Sequence, residues 1–268
     1  MNMSIFYKNK FPFFEIREVN RYSCKKDFHI NFSLNILIIE TGVIEIIANN
    51  KKKTLKKGDI FIINILENHK CNNILDSNVK YYIISIDIKK LYLLHNSLYS
   101  NLILPKYYNL IYDKELFNEL LYFCQTITKN RILNLKQSYM LHLFIITIIE
   151  KYSQKIQISI KDYSKINAVL KYIYIHYKEN ITVKDIAKSL NTSSYDINRI
   201  FTKYFNITVY KLIISYRVYK SKKYIYKGYN FSYIAHEIGF FDQSHFHKNF
   251  KKHFELTPKE YYNSYFNL

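Results

Sequence analysis

With 268 residues, 49% of them hydrophobic and only 4 glycines and 3 prolines, the chain is too apolar to remain disordered and long enough to bury two ordinary cores. Its 40 Lys and Arg against 21 Asp and Glu leave a formal charge of +19, which suits a polyanionic partner, although Lys, Ile, Asn and Tyr are frequent throughout. Cys24, Cys71 and Cys124 are odd in number, far apart and without CxxC or Cys/His spacing. That pattern argues against a disulfide framework and leads us to expect reduced thiols in a cytoplasmic protein.

The opening stretch MNMSIFYKNKFPFF has no continuous apolar run before a small-residue cleavage site, so no signal peptide is expected. The most hydrophobic stretch, MLHLFIITIIE, is too short to cross a bilayer and contains His142, so no membrane partner is expected. Residues 28–87 read as short strands, NILIIETGVIEIIAN, KKTLKKGDIFIIN and NVKYYIISID, rich in isoleucine and punctuated at Gly42 and Gly58. Lys57-Gly58-Asp59 before IFIIN is similar to the tight turn of cupin-like barrels, and His69 follows that strand as in such folds. The fold class expected is therefore α+β: a cupin-like N-terminal β-barrel to about residue 95 with a helical pair, then an all-α C-terminal domain.

Cupin enzymes hold a metal with histidines and a carboxylate, which makes His29, Glu40 and His69 the residues to weigh. The usual His-x-His pair reads His29-Ile30-Asn31 here, no full ligand set can be assembled, and His69 reads as a hydrogen-bonded or exposed turn residue. No metal, no other cofactor and no catalytic residues are expected, since a nucleophile elbow, a phosphate-binding glycine loop and paired carboxylates are also missing from the sequence. The barrel interior, with its many aromatic residues, could hold a small molecule, but an aromatic stripe is more often plain core.

Two helices are predicted next, over residues 114–129 and 134–152. Leu116, Phe117, Leu120, Leu121, Cys124 and Ile127 form a wide apolar stripe on the first; Leu135, Tyr139, His142, Leu143, Ile146 and Ile149 approach one on the second. The pair can pack on the barrel or supply a homodimer seam. Residues 153–162 are polar without helical period, which divides the chain into a front domain (1–152), a linker (153–162) and a rear domain (163–268). From Lys161 on, 18 basic residues face 8 acidic ones, net +10, a higher charge density than in the front.

Within the rear domain one pattern is written twice, IAKSLNTSSYDINRIFTKYF from Ile186 and IAHEIGFFDQSHFHKNFKKHF from Ile234. Ile186 and Ile234 are 48 apart, whereas Phe201 and Phe250 are 49 apart, so the second copy has one extra residue in its turn. Thr182 is a plausible N-cap with Asp185 at the third helical position, Ala187 and Ala235 let a second helix approach closely, and Asn191 and Gly239 supply the break. The second helices start from Ser193 and Asp242 and bury Ile197, Ile200, Phe201 and Phe246, Phe250. Left outward are Tyr195, Asn198, Arg199, Thr202 and Lys203 in the first unit and Gln243, Ser244, His245, His247, Lys248, Asn249 and Lys251 in the second. Amides, hydroxyls and cations of this kind read base edges and hold phosphates.

Over residues 163–266 these motifs resemble the AraC/XylS family of bacterial transcription regulators. The resemblance rests on both helix-turn-helix units, Arg217 and small Ser221 on the helix between them, the GFFDQSHFHKNFKKHF block and Thr257-Pro258 before the last helix. It implies a sequence-specific double-stranded DNA-binding regulator with RNA polymerase as a partner, a possible small-molecule effector and a possible homodimer. By position, base reading falls on Tyr195, Asn198, Arg199, Gln243, Ser244, His245, Lys248 and Asn249. Arg199 suits guanine and Gln243 or Asn198 adenine, while Lys203, Lys248, Lys251 and Lys252 suit phosphates. The family usually has glycine where this chain has Asn206 and Glu255, proline near Val209 and arginine at Tyr262. A ligand-independent activator and a cupin-type enzyme with a DNA-binding tail are the competing readings.

Overall fold

Runs such as ILII and IFII are apolar at odd and even positions alike, so the strands they form must bury both faces. The computed structural model describes residues 2–6, 14–21, 28–73, 78–87, 106–107, 109–130, 134–154 and 158–266. Its strands are β1 (Asn2–Phe6), β2 (Phe14–Arg21), β3 (Leu34–Thr41), β4 (Val43–Ala48), β5 (Lys51–Lys56), β6 (Ile60–Ile63), β7 (His69–Asn73), β8 (Val79–Ile86), β9 (Lys106–Tyr107), β10 (Leu110–Ile111) and β11 (Ser153–Gln154). They form an antiparallel sheet ordered β1-β2-β8-β3-β6-β10 and a smaller sheet ordered β5-β4-β7.

The register explains the two apolar faces. Ile16, Ile84, Ile36 and Ile62 lie in one cross-strand row, and the neighbouring row runs Arg17, Ile83, Leu37, Phe61 on the opposite face. The first face is covered by helices α1 (Lys114–Asn130) and α2 (Leu135–Tyr152); the second packs on Ile44, Ile46, Leu55 and Cys71 of the small sheet. Gly42, at φ 79°, turns the chain from one sheet to the other, and a Cβ there would sit 2.9 Å from the Asn78 carbonyl. The closed barrel expected from sequence is thus replaced, among the described residues, by two facing open sheets. The strands β1, β2, β7, β9, β10 and β11 lie outside the three segments read as strand.

In α1 the expected stripe is the buried one. In α2 the face is reversed: Leu141, Phe144, Ile145 and Ile148 are buried, while Tyr139 is 64% and Leu143 62% exposed. That helix is apolar on most of its circumference, so periodicity could not select the side that meets the sheet. The side chains of Leu135 and Ile149 lie outside the described set, as does Cys24; Cys71 and Cys124 are buried. Residues 153–162 are not bare chain. β11 pairs with β9, and helix α3 (Ile160–His176) already starts there, with the Ser159 hydroxyl accepting from the Asp162 amide.

The rear half continues with α4 (Val183–Ser189), α5 (Ser194–Phe205), α6 (Val209–Tyr226), α7 (Phe231–Glu237), α8 (Gln243–Phe254) and α9 (Pro258–Phe266). It has two cores joined by α6. Val209, Leu212, Ile213 and Tyr216 pack with α3, α4 and α5, whereas Ile214, Val218 and Ile225 pack with α7, α8 and α9. A helix buried on nearly every side fixes the two helix pairs with respect to each other. Among the described residues no helix is long and apolar enough to cross a membrane.

Candidate nucleic-acid interface

Each helix pair is set by local chemistry. Thr182 and Asp185 form a full capping box at the start of α4, and buried Ala187 and Ala235 let the second helix of each pair approach. The turns close on equivalent hydrogen bonds, Thr192 N to Ala187 O at 3.0 Å and Phe240 N to Ala235 O at 2.9 Å. Asn191 and Gly239 both take positive φ, 48° and 85°. Ser193 and Asp242 then cap α5 and α8 with their side-chain oxygens, and Asn206 and Glu255 end them in the left-handed conformation, although neither is glycine. Thr257 and Glu260 exchange the two bonds of a capping box across Pro258 at the start of α9.

On α5 the outward side chains carry internal partners. Arg199 Nη2 donates to Asp196 Oδ1 at 2.7 Å, and Asp196 also accepts from Lys165 of α3. Those two bonds hold the Asp196 carboxyl down at about 2. Lys203 Nζ lies 3.3 Å from Asp162 Oδ2. Tyr195 and Thr202 are exposed. Asn198 is half-buried: its amide donates to the Ser194 carbonyl at 3.0 Å and its oxygen accepts from the Val209 amide at 2.9 Å, bracing the first turn of α6.

On α8 the exposed set is Gln243, Ser244, Lys248, Lys251 and Lys252. His245, His247 and Asn249 are half-buried. The His245 ring meets Phe240 edge-on at 5.1 Å, His247 meets Phe231 at 5.5 Å, and the Asn249 amide donates to the His245 carbonyl at 2.9 Å. Burial lowers the His247 pKa.

A third group escaped the sequence reading. Glu15, Ser85 and Asn35 form a buried polar row on the large sheet, facing α6. Glu15 accepts from Lys222 of α6 and, at 3.2 Å, from the Tyr261 hydroxyl of α9, with Arg17 Nε 3.5 Å away. Burial alone would raise its carboxyl, but Lys222 and Arg17 outweigh that and the net shift is downward. Glu15 Oε1, Arg17 Nε and Asn35 Oδ1 are buried without a hydrogen-bond partner. Beside them a cavity of about 20 Å³, room for one water, is lined by Arg17, Asn35, Ser85, Ser215, Lys222 and His253.

His253, in the last turn of α8, is buried there. Its Nδ1 donates to the Asn249 carbonyl at 2.8 Å, which leaves Nε2 to accept from the Ser215 hydroxyl at 2.9 Å. The His29 ring lies 5.7 Å from it and 4.2 Å from that of His69, whose Nδ1 donates to the Glu67 carbonyl at 2.8 Å. Burial pushes His69 and His253 down to about 4. Glu40 is elsewhere, 2.9 Å from Lys80, and no group of three or more His, Cys, Asp or Glu among the described residues is placed to hold a metal. The signal for His253 was present in the sequence: it follows Phe246 and Phe250 on the inward stripe of α8.

Comparison with known proteins follows the same division. The profile of a helix-turn-helix domain family matches residues 186–264. The lactose operon transcription activator of Staphylococcus xylosus is 30% identical over 124 residues, 45% of this chain and 44% of that protein. The Msm operon regulatory protein of Streptococcus mutans is 33% identical over 98 residues, 36% of this chain and 35% of that protein. The chain thus spans less than half the length of these curated relatives. ToxT of Vibrio cholerae, in a crystal structure with an unsaturated fatty acid bound, superposes with a TM-score of 0.64 at 18% identity, covering 98% of this chain and 99% of that one. A likeness at that identity is one of fold, the β-rich front followed by the helical rear.

Proposed function

Since residues 186–264 are a helix-turn-helix domain of the AraC type, we propose that the whole chain is a sequence-specific DNA-binding transcription regulator. The observation that carries this reading is the pair of capped helix-turn-helix units set on opposite stretches of one buried helix, α6, each with an exposed polar and cationic side. In this reading α5 and α8 enter successive major-groove faces of one duplex. An 18-residue helix is about 27 Å long, and the flanking turns make up the rest of the roughly 34 Å groove repeat.

Arg199 exchanges Asp196 for a guanine edge, Gln243 pairs with adenine, and Tyr195, Ser244 and Thr202 flank them. Lys203, Lys248, Lys251 and Lys252 hold phosphates. Asn198, His245, His247 and Asn249 keep the reading helices in place and use only their spare hydrogen-bonding capacity on DNA. Footprinting of bound promoters tests this: two protected segments one helical turn apart are expected, and equal protection of random duplex would end the proposal.

The division into a front domain (1–152) and a rear domain belongs to the same proposal, the rear now counted from the start of α3 at Ile160, with the front part controlling the rear. As with the ToxT complex, an organic acid is the effector class proposed, its carboxylate drawn to Arg17 and Lys222 at the junction, where the elements must part to admit anything larger than the one water the cavity has room for. A rise in melting temperature with such acids, abolished in Lys222→Ala, is expected; none across a library favours a ligand-independent activator. A homodimer through Tyr139, Leu143 and Ile146 of α2, contact with RNA polymerase and a cytoplasmic location complete the reading, which includes no enzymatic step.

A further inference from the structure

The turn of the second unit contains a residue with no counterpart in the first. Counted from the turn hydrogen bonds of Thr192 and Phe240 the two units are in step; counted from the caps Ser193 and Asp242 they are one residue out. The inserted residue is Phe241. Its neighbour Phe240 is 3% exposed and packs against Phe246 at 5.6 Å, so the turn backbone is anchored from inside. Phe241, immediately before the cap of α8, is 89% exposed.

A phenyl ring so placed has no hydrogen bond to give a phosphate and makes no use of water. The N-terminal residues of a recognition helix are the ones that meet base edges. The base-edge feature an apolar side chain can read in the major groove is the C5 methyl of thymine. The first unit has a ring in the corresponding region by another route, Tyr195 in the first turn of α5, 77% exposed. We propose that Phe241 is a specificity-determining residue of the second unit, packing on a thymine methyl beside the bases read by Gln243 and Ser244. The inference rests on the DNA-binding reading above and adds to it a base preference and the residue that sets it.

The test selects preferred duplexes for the full-length chain from a random pool, then replaces each thymine in turn by uracil, which removes the methyl and nothing else. One replacement in the half-site of the second unit is expected to weaken binding roughly fourfold, the value of one buried carbon at about 0.8 kcal/mol. Phe241→Ala should bind the thymine and uracil duplexes equally while keeping its other base preferences, and Phe241→Leu should retain part of the difference. An exposed side chain leaves the melting temperature unchanged on removal, which serves as the folding control. Site-selective binding that is blind to every thymine methyl, or a methyl effect that survives in Phe241→Ala, overturns the assignment and leaves the regulator reading standing. Failure of the unaltered chain to select any sequence overturns both.

Discussion

The second helices of the two units, α5 and α8, both end against the front half, but by unlike chemistry. At the end of α5, Asn206 receives the Asn68 amide on its carbonyl at 2.9 Å and donates its own amide to Asn50 at 2.8 Å, contacts between uncharged groups near the surface. At the end of α8 the tie is His253, buried between Ser215 and His29. The cations differ as well: Arg199 and Lys203 of the first unit have carboxylate partners, Asp196 and Asp162, whereas Lys248 and Lys251 of the second project into solvent. Both units thus touch the front half, the first through amide hydrogen bonds and the second through the ring of His253, whose charge depends on pH. The same supersecondary pattern can therefore be held by uncharged amides in one copy and by a pH-dependent imidazole in the next.

The comparison breaks most sharply at the turns. A Cβ on Gly239 would lie 2.6 Å from the Tyr177 carbonyl and 3.0 Å from the Arg217 guanidinium carbon. Gly239→Ala should cost about 3 kcal/mol or more, against about 1 kcal/mol for Asn191→Ala, where the left-handed backbone is the main penalty. Urea unfolding of the two variants measures the gap, and equal losses would show that the turns are interchangeable.

Acid sharpens the second contrast. His69 and His253 stay neutral in the fold down to about 4, whereas the unfolded chain takes up protons below about 6.5. The stability they contribute is complete above that pH and is lost as the pH falls toward 4, on the order of 2 kcal/mol for each by pH 5. Thermal unfolding between pH 7 and 5 should fall steeply for the unaltered chain and less for His253→Gln; parallel curves would remove His253 from the explanation.

Arg199→Ala is expected to weaken binding to the preferred duplex by roughly tenfold to a hundredfold and to relax one base position. An equal loss on every sequence would make Arg199 a phosphate contact. Lys251→Ala should give the smallest effect, a uniform loss with the salt dependence of binding reduced by about one counterion. An unchanged salt slope would show that Lys251 stays in water.

What could be read before folding was what depends on near neighbours. The caps at Thr182, Ser193 and Asp242, the breaks at Asn191 and Gly239 and a helix carrying Arg217 and Ser221 rest on groups within about four residues of each other, and all are present. The outward set of α5 and α8 was legible only in part, because Asn198 and Asn249 have helix periodicity that does not tell a solvent-facing amide from one bonded to the backbone. The α2 face was read on the wrong side, for a helix apolar almost all round offers no single stripe. Glu15 and Arg17 were missed because β2 was not recognised as a strand, so the alternation that sends Ile16 one way and its neighbours the other was never applied.

By itself the sequence determined the duplicated helix-turn-helix, its caps and its connecting helix, since helical hydrogen bonds and capping close within a turn or two of chain. Only tertiary structure decided that two open sheets stand where a barrel was expected, which side of α2 is buried, and that Glu15 reaches Lys222 and Tyr261 while His253 reaches Ser215 and His29. Those contacts join groups up to 246 positions apart, and no local preference of the backbone specifies a partner at that distance. Burial does so, because a charge or an imidazole taken out of water is stable only where the packing of two halves brings it a partner.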